Sequence, residues 1–398
     1  TVDPLVWTAQ FTATDGFTGT GSVTVVSGSY TDAALNLGGS SAENVTIDRT
    51  NPTVTVAIAE ASLSDGTASS LVTFTFSEAP TGFTDTDLDV VGGTITDLVA
   101  TVDPLVWTAQ FTATDGFTGT GSVMVLSDSY TDAALNLGGS GSDSVAIDRM
   151  NPTVTVAIAE SALSDGTASS LVTFTFSEAP VGFTDADLDV VGGTITDLVA
   201  TVDPLVWTAQ FTATDGFTGT GSVTVTSDSY TDAALNLGGS GSDSVTIDRA
   251  NPTVTVVIAE ASLSDGTASS LVTFTFSEAP VGFADADLDV VGGTITDLVA
   301  TVDPLVWTAQ FAATDGFTGT GSVTVASDSY TDVALNLGGS GTDSVAIDRT
   351  NPTVTVSIAE SSLSDGTASS LVTFTFSEAP VGFTDADLDV VGGVVTDL

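Results

Sequence analysis

Residues 171–177 read LVTFTFS. Successive side chains of a strand alternate, so Val172, Phe174 and Phe176 fall on one face and Thr173 and Thr175 on the other. The alternation continues on both sides. In VWTAQFTA at 206–213, Trp207, Ala209 and Phe211 share a face; in TVTVAI at 153–158, Val154, Val156 and Ile158 do. Aromatic and β-branched residues in period two mark half-buried strands. Turn clusters (SDGTASS, SEAPVG, VVGG, TDGFTGTG, NLGGSGS) separate the runs. Nothing reads as a helix of useful length; Leu135-Asn136-Leu137 offers one turn at most.

Seven strands follow for residues 151–250, over 153–159, 170–177, 187–191, 194–200, 205–213, 221–227 and 243–248. That number of short strands, with turns every 8–12 positions, predicts an all-β, immunoglobulin-like sandwich, with Trp207, Phe174, Phe176 and Phe211 filling the core. The pattern repeats with a period of one hundred residues and no insertion: TVDPLVWTAQF stands at 1, 101, 201 and 301. A unit this long is a self-sufficient domain rather than a solenoid turn. The short polar segment Asp148-Arg149-Met150-Asn151-Pro152 reads as a linker, because its proline cannot donate to a ladder. The resulting frame has repeats at 51–150, 151–250 and 251–350, a C-terminal half-repeat at 1–50 and an N-terminal half-repeat at 351–398. The halves carry complementary strand sets, so the C-terminal half of one chain is expected to complete the N-terminal half of the next. A shifted frame, with 1–98 as a domain, is the alternative.

The chain carries 51 acids against four cationic residues, all arginine, for a net charge of −47, yet 42% of it is apolar. Acidic disordered chains lack that apolar content, so this one folds. Its charge repels nucleic acid and anionic membranes, and no apolar run approaches the roughly 18 residues of a membrane span. Without His, Cys or Lys there is no ordinary base, thiol nucleophile or Schiff-base former. Paired carboxylates can hydrolyse glycosides, but these acids recur identically in every unit, so a non-enzymatic role is expected. The chain begins in mid-pattern and reads as a segment of something longer.

The acids cluster. Asp185, Asp187 and Asp189 alternate along FTDADLDV, Glu178 ends the preceding strand, and Asp228 and Asp232 lie in SDSYTDAALN with Asn236 four residues on. Asp243 and Asp248 flank the last strand. At the joint stand Asp148 and Asn151, with Glu160 and Asp165 in the loop that follows; Asp248, Asn251, Glu260, Asp265, Glu278 and Asp285 are the equivalents one period on. Ca²⁺ takes six to eight oxygen ligands, and these residues supply oxygen only. Two readings stay open: several Ca²⁺ per repeat, favoured by the lack of lysine to pair the acids, or a solvated acidic surface. DADLD is no EF-hand loop, since Val190 and Thr196 occupy the positions of its glycine and glutamate. GGSGSDSVA at 138–146 fits a calcium nonapeptide but occurs once per hundred residues, and reads as a glycine-rich loop entering the last strand.

The order SLVTFTFSEAP-x-GF-x-x-x-DL-x-V-x-GG, then W-T-A-x-F, SYTDAALN and a closing I-D, resembles the bacterial immunoglobulin-like repeats of giant biofilm adhesins: Bap-like repeats and the extender modules of large repeats-in-toxin adhesins, one of them ice-binding. The resemblance covers the whole unit and hence the whole chain. It implies an extracellular, calcium-stiffened rod on a bacterial cell surface, holding a distant binding domain away from the cell. Its partners would be neighbouring repeats of the same chain and, end to end, other copies. Two other readings remain: a multivalent module gripping glycan or a neighbouring rod, with Phe217 and Tyr230 as candidate contacts, and an acidic surface adapted to high salt.

Overall fold

The computed structural model describes residues 3–398; Thr1 and Val2, with which the first half-repeat begins, lie outside the described residues. Compactness divides the chain into two units. One comprises residues up to Glu160 with Ser170–Thr212 and Gly221–Val245; the other comprises Ser161–Ser169, Ala213–Thr220 and Thr246–Leu398.

The first unit contains the repeat 51–150 entire. Numbered within the repeat, its strands are β1 (Val54–Ile58), β2 (Ser62–Leu63), β3 (Ser69–Phe76), β4 (Leu88–Val91), β5 (Gly93–Ala100), β6 (Val106–Ala113), β7 (Thr118–Val125) and β8 (Gly141–Asp148). They form two four-stranded sheets, ordered β1-β3-β6-β5 and β2-β8-β7-β4. In the first, Val54 pairs with Phe76 and Phe74 with Trp107. A bulge between Thr96 and Val99 interrupts β5, with Asp97 at φ 55°. In the second, Gly141 lies opposite Val125 and Leu88 also pairs with Val125. Seven of the strands carry the alternation read from sequence. The eighth, β2, has two residues and runs parallel to β8, Leu63 beside Ile147; two residues have no period to detect. Farther along this unit Val154 pairs with Phe176 and Leu188 with Val225 in the same registers.

The sheets close on Val72, Phe74, Phe76, Phe83, Phe111, Val123, Val125 and Tyr130, all buried. Phe83 is the hub. Its ring packs edge-on against Phe74, Phe76, Trp107 and Tyr130, with centroids 5.0–6.0 Å away. Tyr130 donates its hydroxyl to the Pro52 carbonyl at 3.3 Å, and the Gly139 N–H donates to the same oxygen at 2.8 Å. The loop before β8 is thereby fastened to the start of the repeat. A Cβ on Gly138 would collide with the Tyr130 ring, so glycine is required there.

One segment departs from the extended reading. Asp85–Asp87 is a 3₁₀ turn, as is Asp185–Asp187, and the Asp187 carboxylate folds back to accept from the Thr184 N–H at 2.6 Å. Asp185, Asp187 and Asp189 therefore do not line one side of a strand. A short acidic residue satisfies a nearby backbone donor more readily than it continues a ladder.

The second unit contains the repeat 251–350 with equivalent strands, registers and core, including Phe283 against Phe274, Phe276, Trp307 and Tyr330. The two partial repeats keep their hairpins, Thr18–Val25 with Ser41–Asp48 and Val354–Ile358 with Val372–Phe376. Their apolar faces are open: Val23 and Val25 are 56% and 45% exposed, whereas Val123 and Val125 are fully covered.

Phe111 is fully buried and central to its sheet. Phe111→Ala should destabilise the repeat 51–150 by about 3–5 kcal/mol, seen in calorimetry as one repeat melting early while the others keep their transition.

Candidate metal centre

The last strand of each repeat runs directly into the next. β8 ends at Asp148, whose carboxylate accepts from Thr118 Oγ1 at 3.1 Å. Arg149 then turns back into its own repeat. Its guanidinium donates to the Ala113 carbonyl at 2.7 Å and to Asp65 at 3.1 Å, and also pairs with Asp115 at 3.4 Å. Pro152 lies in the unpaired stretch before the first strand of the following repeat, whose β3 delivers Glu178 just past its end. Asp232 comes from the loop between β7 and β8 of that repeat. Its Oδ1 accepts from the N–H groups of Ala234 and Asn236 at 2.8 and 2.9 Å, and its Oδ2 from Asn236 Nδ2 at 2.9 Å. This tight loop holds Leu235 at φ 69°.

The result is a triad. One carboxylate oxygen from each of Asp148, Glu178 and Asp232 lies within 4.8 Å of the other two. Asp48, Glu78 and Asp132 form the same group one period earlier, and Asp248, Glu278 and Asp332 one period later. Each triad takes one acid from the end of one repeat and two from the next. Asp232 is almost wholly buried, and Asp148 and Glu178 are half-buried. Burial first, then the negative charges of Asp148 and Asp232, push the Glu178 carboxyl above its ordinary value. Burial and the corresponding aspartates do the same at Glu78 and Glu278. The donor set is hard oxygen throughout, with one member already oriented by three N–H groups. That chemistry fits Ca²⁺ or Mg²⁺ and offers nothing to a thiophilic metal.

Of the candidate ligands, Asp148, Glu178 and Asp232 are brought together, as are Asp248 and Glu278 with Asp332. The others are not members of the triads. Asn151, Glu160, Asp185, Asp189 and Asp228 are exposed, Asp228 at φ 61°. Asp165 pairs with Arg249 at 3.2 Å, Asp187 closes its 3₁₀ turn, and Asp243 accepts from the Ile158 N–H at 2.8 Å. Asn251, Glu260, Asp265 and Asp285 are likewise outside the triads, Asp265 pairing with Arg349 at 3.0 Å. Among the described residues the joints at Asp48, Asp148 and Asp248 each hold one triad, and none is formed at Asp348. Phe217 is half-buried, and Tyr230 is buried, its phenol pushed up to about 12 by that burial, so neither of these two rings stands fully exposed.

Asn236, four residues after Asp232, also belongs to the joint. Its Oδ1 accepts from the N–H of Asp65 in the preceding repeat at 2.9 Å. The D-x-x-x-N spacing of Asp232 and Asn236 was its only trace in the sequence. A cleft of about 330 Å³ lies beside it, walled by Ser62–Ser64, Ala146–Asp148 and Ala233–Leu235.

The family model of a bacterial Ig-like domain matches residues 48–149, 148–249, 248–348 and 348–398. The chain belongs to this family. Successive Ig-like matches overlap at the aspartate of each joint. None of the curated proteins matches the chain. Among solved structures it is similar to invasin, a bacterial integrin-binding protein, at 14% identity over 81% of this chain and 67% of that one, with a TM-score of 0.28. It is also similar to InvD of Yersinia pseudotuberculosis, at 14% identity over 81% and 97%, with a TM-score of 0.24. Family membership rests on the match to the Ig-like domain and not on these likenesses. No helix among the described residues is long and apolar enough to cross a membrane.

The raised glutamates set a pH dependence. A carboxyl whose folded pKa exceeds its unfolded value adds stability below the unfolded value, near 4.5, and withdraws it as the pH rises through the folded value. In chelator, the melting temperature should therefore rise as the pH falls from 7 toward 4.5. The triple variant Glu78→Gln, Glu178→Gln, Glu278→Gln should flatten that slope; equal slopes for variant and parent would contradict the assignment.

Proposed function

We propose that the chain is a structural extender of a bacterial cell-surface protein, built from tandem Ig-like repeats whose joints are stiffened by Ca²⁺. It would act by projection, holding a binding domain away from the cell, with its own neighbouring repeats as its principal partners. The triads at the Asp48, Asp148 and Asp248 joints carry this reading. A cation held by Asp148, Glu178 and Asp232 would be shared by two repeats, and shared ligands oppose the relative motion otherwise expected of linked domains. The bound ion would supply positive charge, and water would complete its oxygen shell. It would also relieve the mutual repulsion of three carboxylates in a chain of net charge −47. Membership of the bacterial Ig-like family supports the surface location and the non-enzymatic role. The multivalent-binding alternative gains no support from Tyr230, which is buried inside its repeat.

Calcium titrated into chelator-stripped protein should raise the melting temperature, by mass action worth about 2.7 kcal/mol per site at a hundredfold excess over the dissociation constant. Molar NaCl should not substitute. Titration calorimetry should count one ion per triad, three in the chain, and Asp148→Ala should remove one of them while leaving the melting of each repeat in chelator unchanged. Heats indistinguishable from buffer dilution would rule the cation out.

A further inference from the structure

The joints contain a second device that uses no ion. Asn236 and Asn336 are completely buried, and both ends of each side chain are engaged. Asn336 Oδ1 accepts from the Asp165 N–H at 2.9 Å; its Nδ2 donates to the Asp248 carbonyl at 2.9 Å and to Asp332 Oδ2 at 2.8 Å. One neutral side chain thus holds a loop of the preceding repeat, the end of that repeat's last strand, and a carboxylate of the triad. Asn236 accepts from the Asp65 N–H and donates to Asp232 in the same way. The loop it grips is braced from behind, since the carboxylate of Asp65 pairs with Arg149 and that of Asp165 with Arg249. Asn136 has no such loop to receive among the described residues; it still donates to the Asp48 carbonyl, at 3.2 Å, but is only half-buried. Asp265 shows the converse. Its loop meets no asparagine among the described residues, and its side chain is 49% exposed, against 20% and 23% for Asp65 and Asp165.

We propose that Asn236 and Asn336 are cation-independent latches: each docks its repeat onto the preceding one through the N–H of Asp65 or Asp165, so that the joint is closed before any ion arrives. Salt screens charges but acts little on a buried neutral hydrogen bond, and a buried amide deprived of its partner is costly, so the latch resists opening. The latch also assembles the triad. Because Asn336 holds both Asp332 and the backbone of Asp248, it positions two of the three carboxylates that would otherwise drift apart. This role as a positioning residue for the cation rests on the calcium reading; the docking role does not.

Hydrogen exchange on the full chain tests the latch in EDTA, with fragmentation that resolves single amides in peptides 155–166 and 255–266. The Asp165 N–H faces Asn336 and should exchange at least tenfold more slowly than the Asp265 N–H, which meets no asparagine among the described residues. Asn336→Ala should bring Asp165 to the Asp265 rate while the Val254–Ile258 strand stays protected, showing that the repeat remains folded. If the variant fails to fold, the comparison of Asp165 with Asp265 in the parent chain still decides. Equal rates for the two amides in the parent, or a protected Asp165 in a folded Asn336→Ala chain, overturn the proposal. Calcium calorimetry separates the two ideas. Protection in EDTA without calcium binding upholds the latch and removes the cation; calcium binding with equal amide rates in EDTA removes the latch and upholds the cation.

Discussion

Crowding of like charge is the constraint on which the joints depend. Asp148, Glu178 and Asp232 bring carboxylate oxygens within 4.8 Å of one another in a chain with four cationic side chains. None of the four arginines neutralises a triad. Arg149 is spent inside its own repeat, on Asp65, Asp115 and the Ala113 carbonyl. The triad is instead assembled by backbone and neutral groups: Asp232 by three N–H donors of its own loop, Asp148 by its place at the end of a paired strand. Fixed geometry with uncompensated charge is the condition under which a hard cation gains most from binding.

The same residues are used in layers. Arg149 anchors the Asp65 carboxylate, Asp65 presents its N–H to Asn236, and Asn236 holds Asp232, which faces Asp148 and Glu178. A path of contacts therefore runs from the interior of one repeat to the carboxylates of the next. Within the repeat the counterpart is Tyr130, which ties the loop before β8 to Pro52 while packing against Phe76 and Phe83. The Asp132–Asn136 loop thus starts two residues after a side chain fixed in the aromatic core.

Much of this was legible in the chain itself. The strands at 171–177 and 206–213 carry a period-two pattern that survives any context, because one face must be apolar to bury. A proline and a lone cation at a fixed place in the period marked the segment Asp148–Pro152, while Asp148 itself was one acid among many. The 3₁₀ turn at Asp185–Asp187 was not legible, since alternating acids look the same whether they line a strand or fold back onto Thr184. Nor was β2, too short to show a period. Asp165 and Asp243 were indistinguishable by sequence from Asp232, because an acid in a loop carries no mark of whether an arginine, a backbone N–H or another acid will meet it.

The sequence by itself determined the unit, its strands and its repetition. Alternation and turn chemistry are local, and a period without insertions copies them faithfully along the chain. Which acids share a site was decided only by tertiary structure. Asp148, Glu178 and Asp232 span 84 positions, and Asp65 and Asn236 are 171 apart. Their meeting depends on where one sandwich ends and the next is docked, and that is a property of packed surfaces that no local pattern encodes.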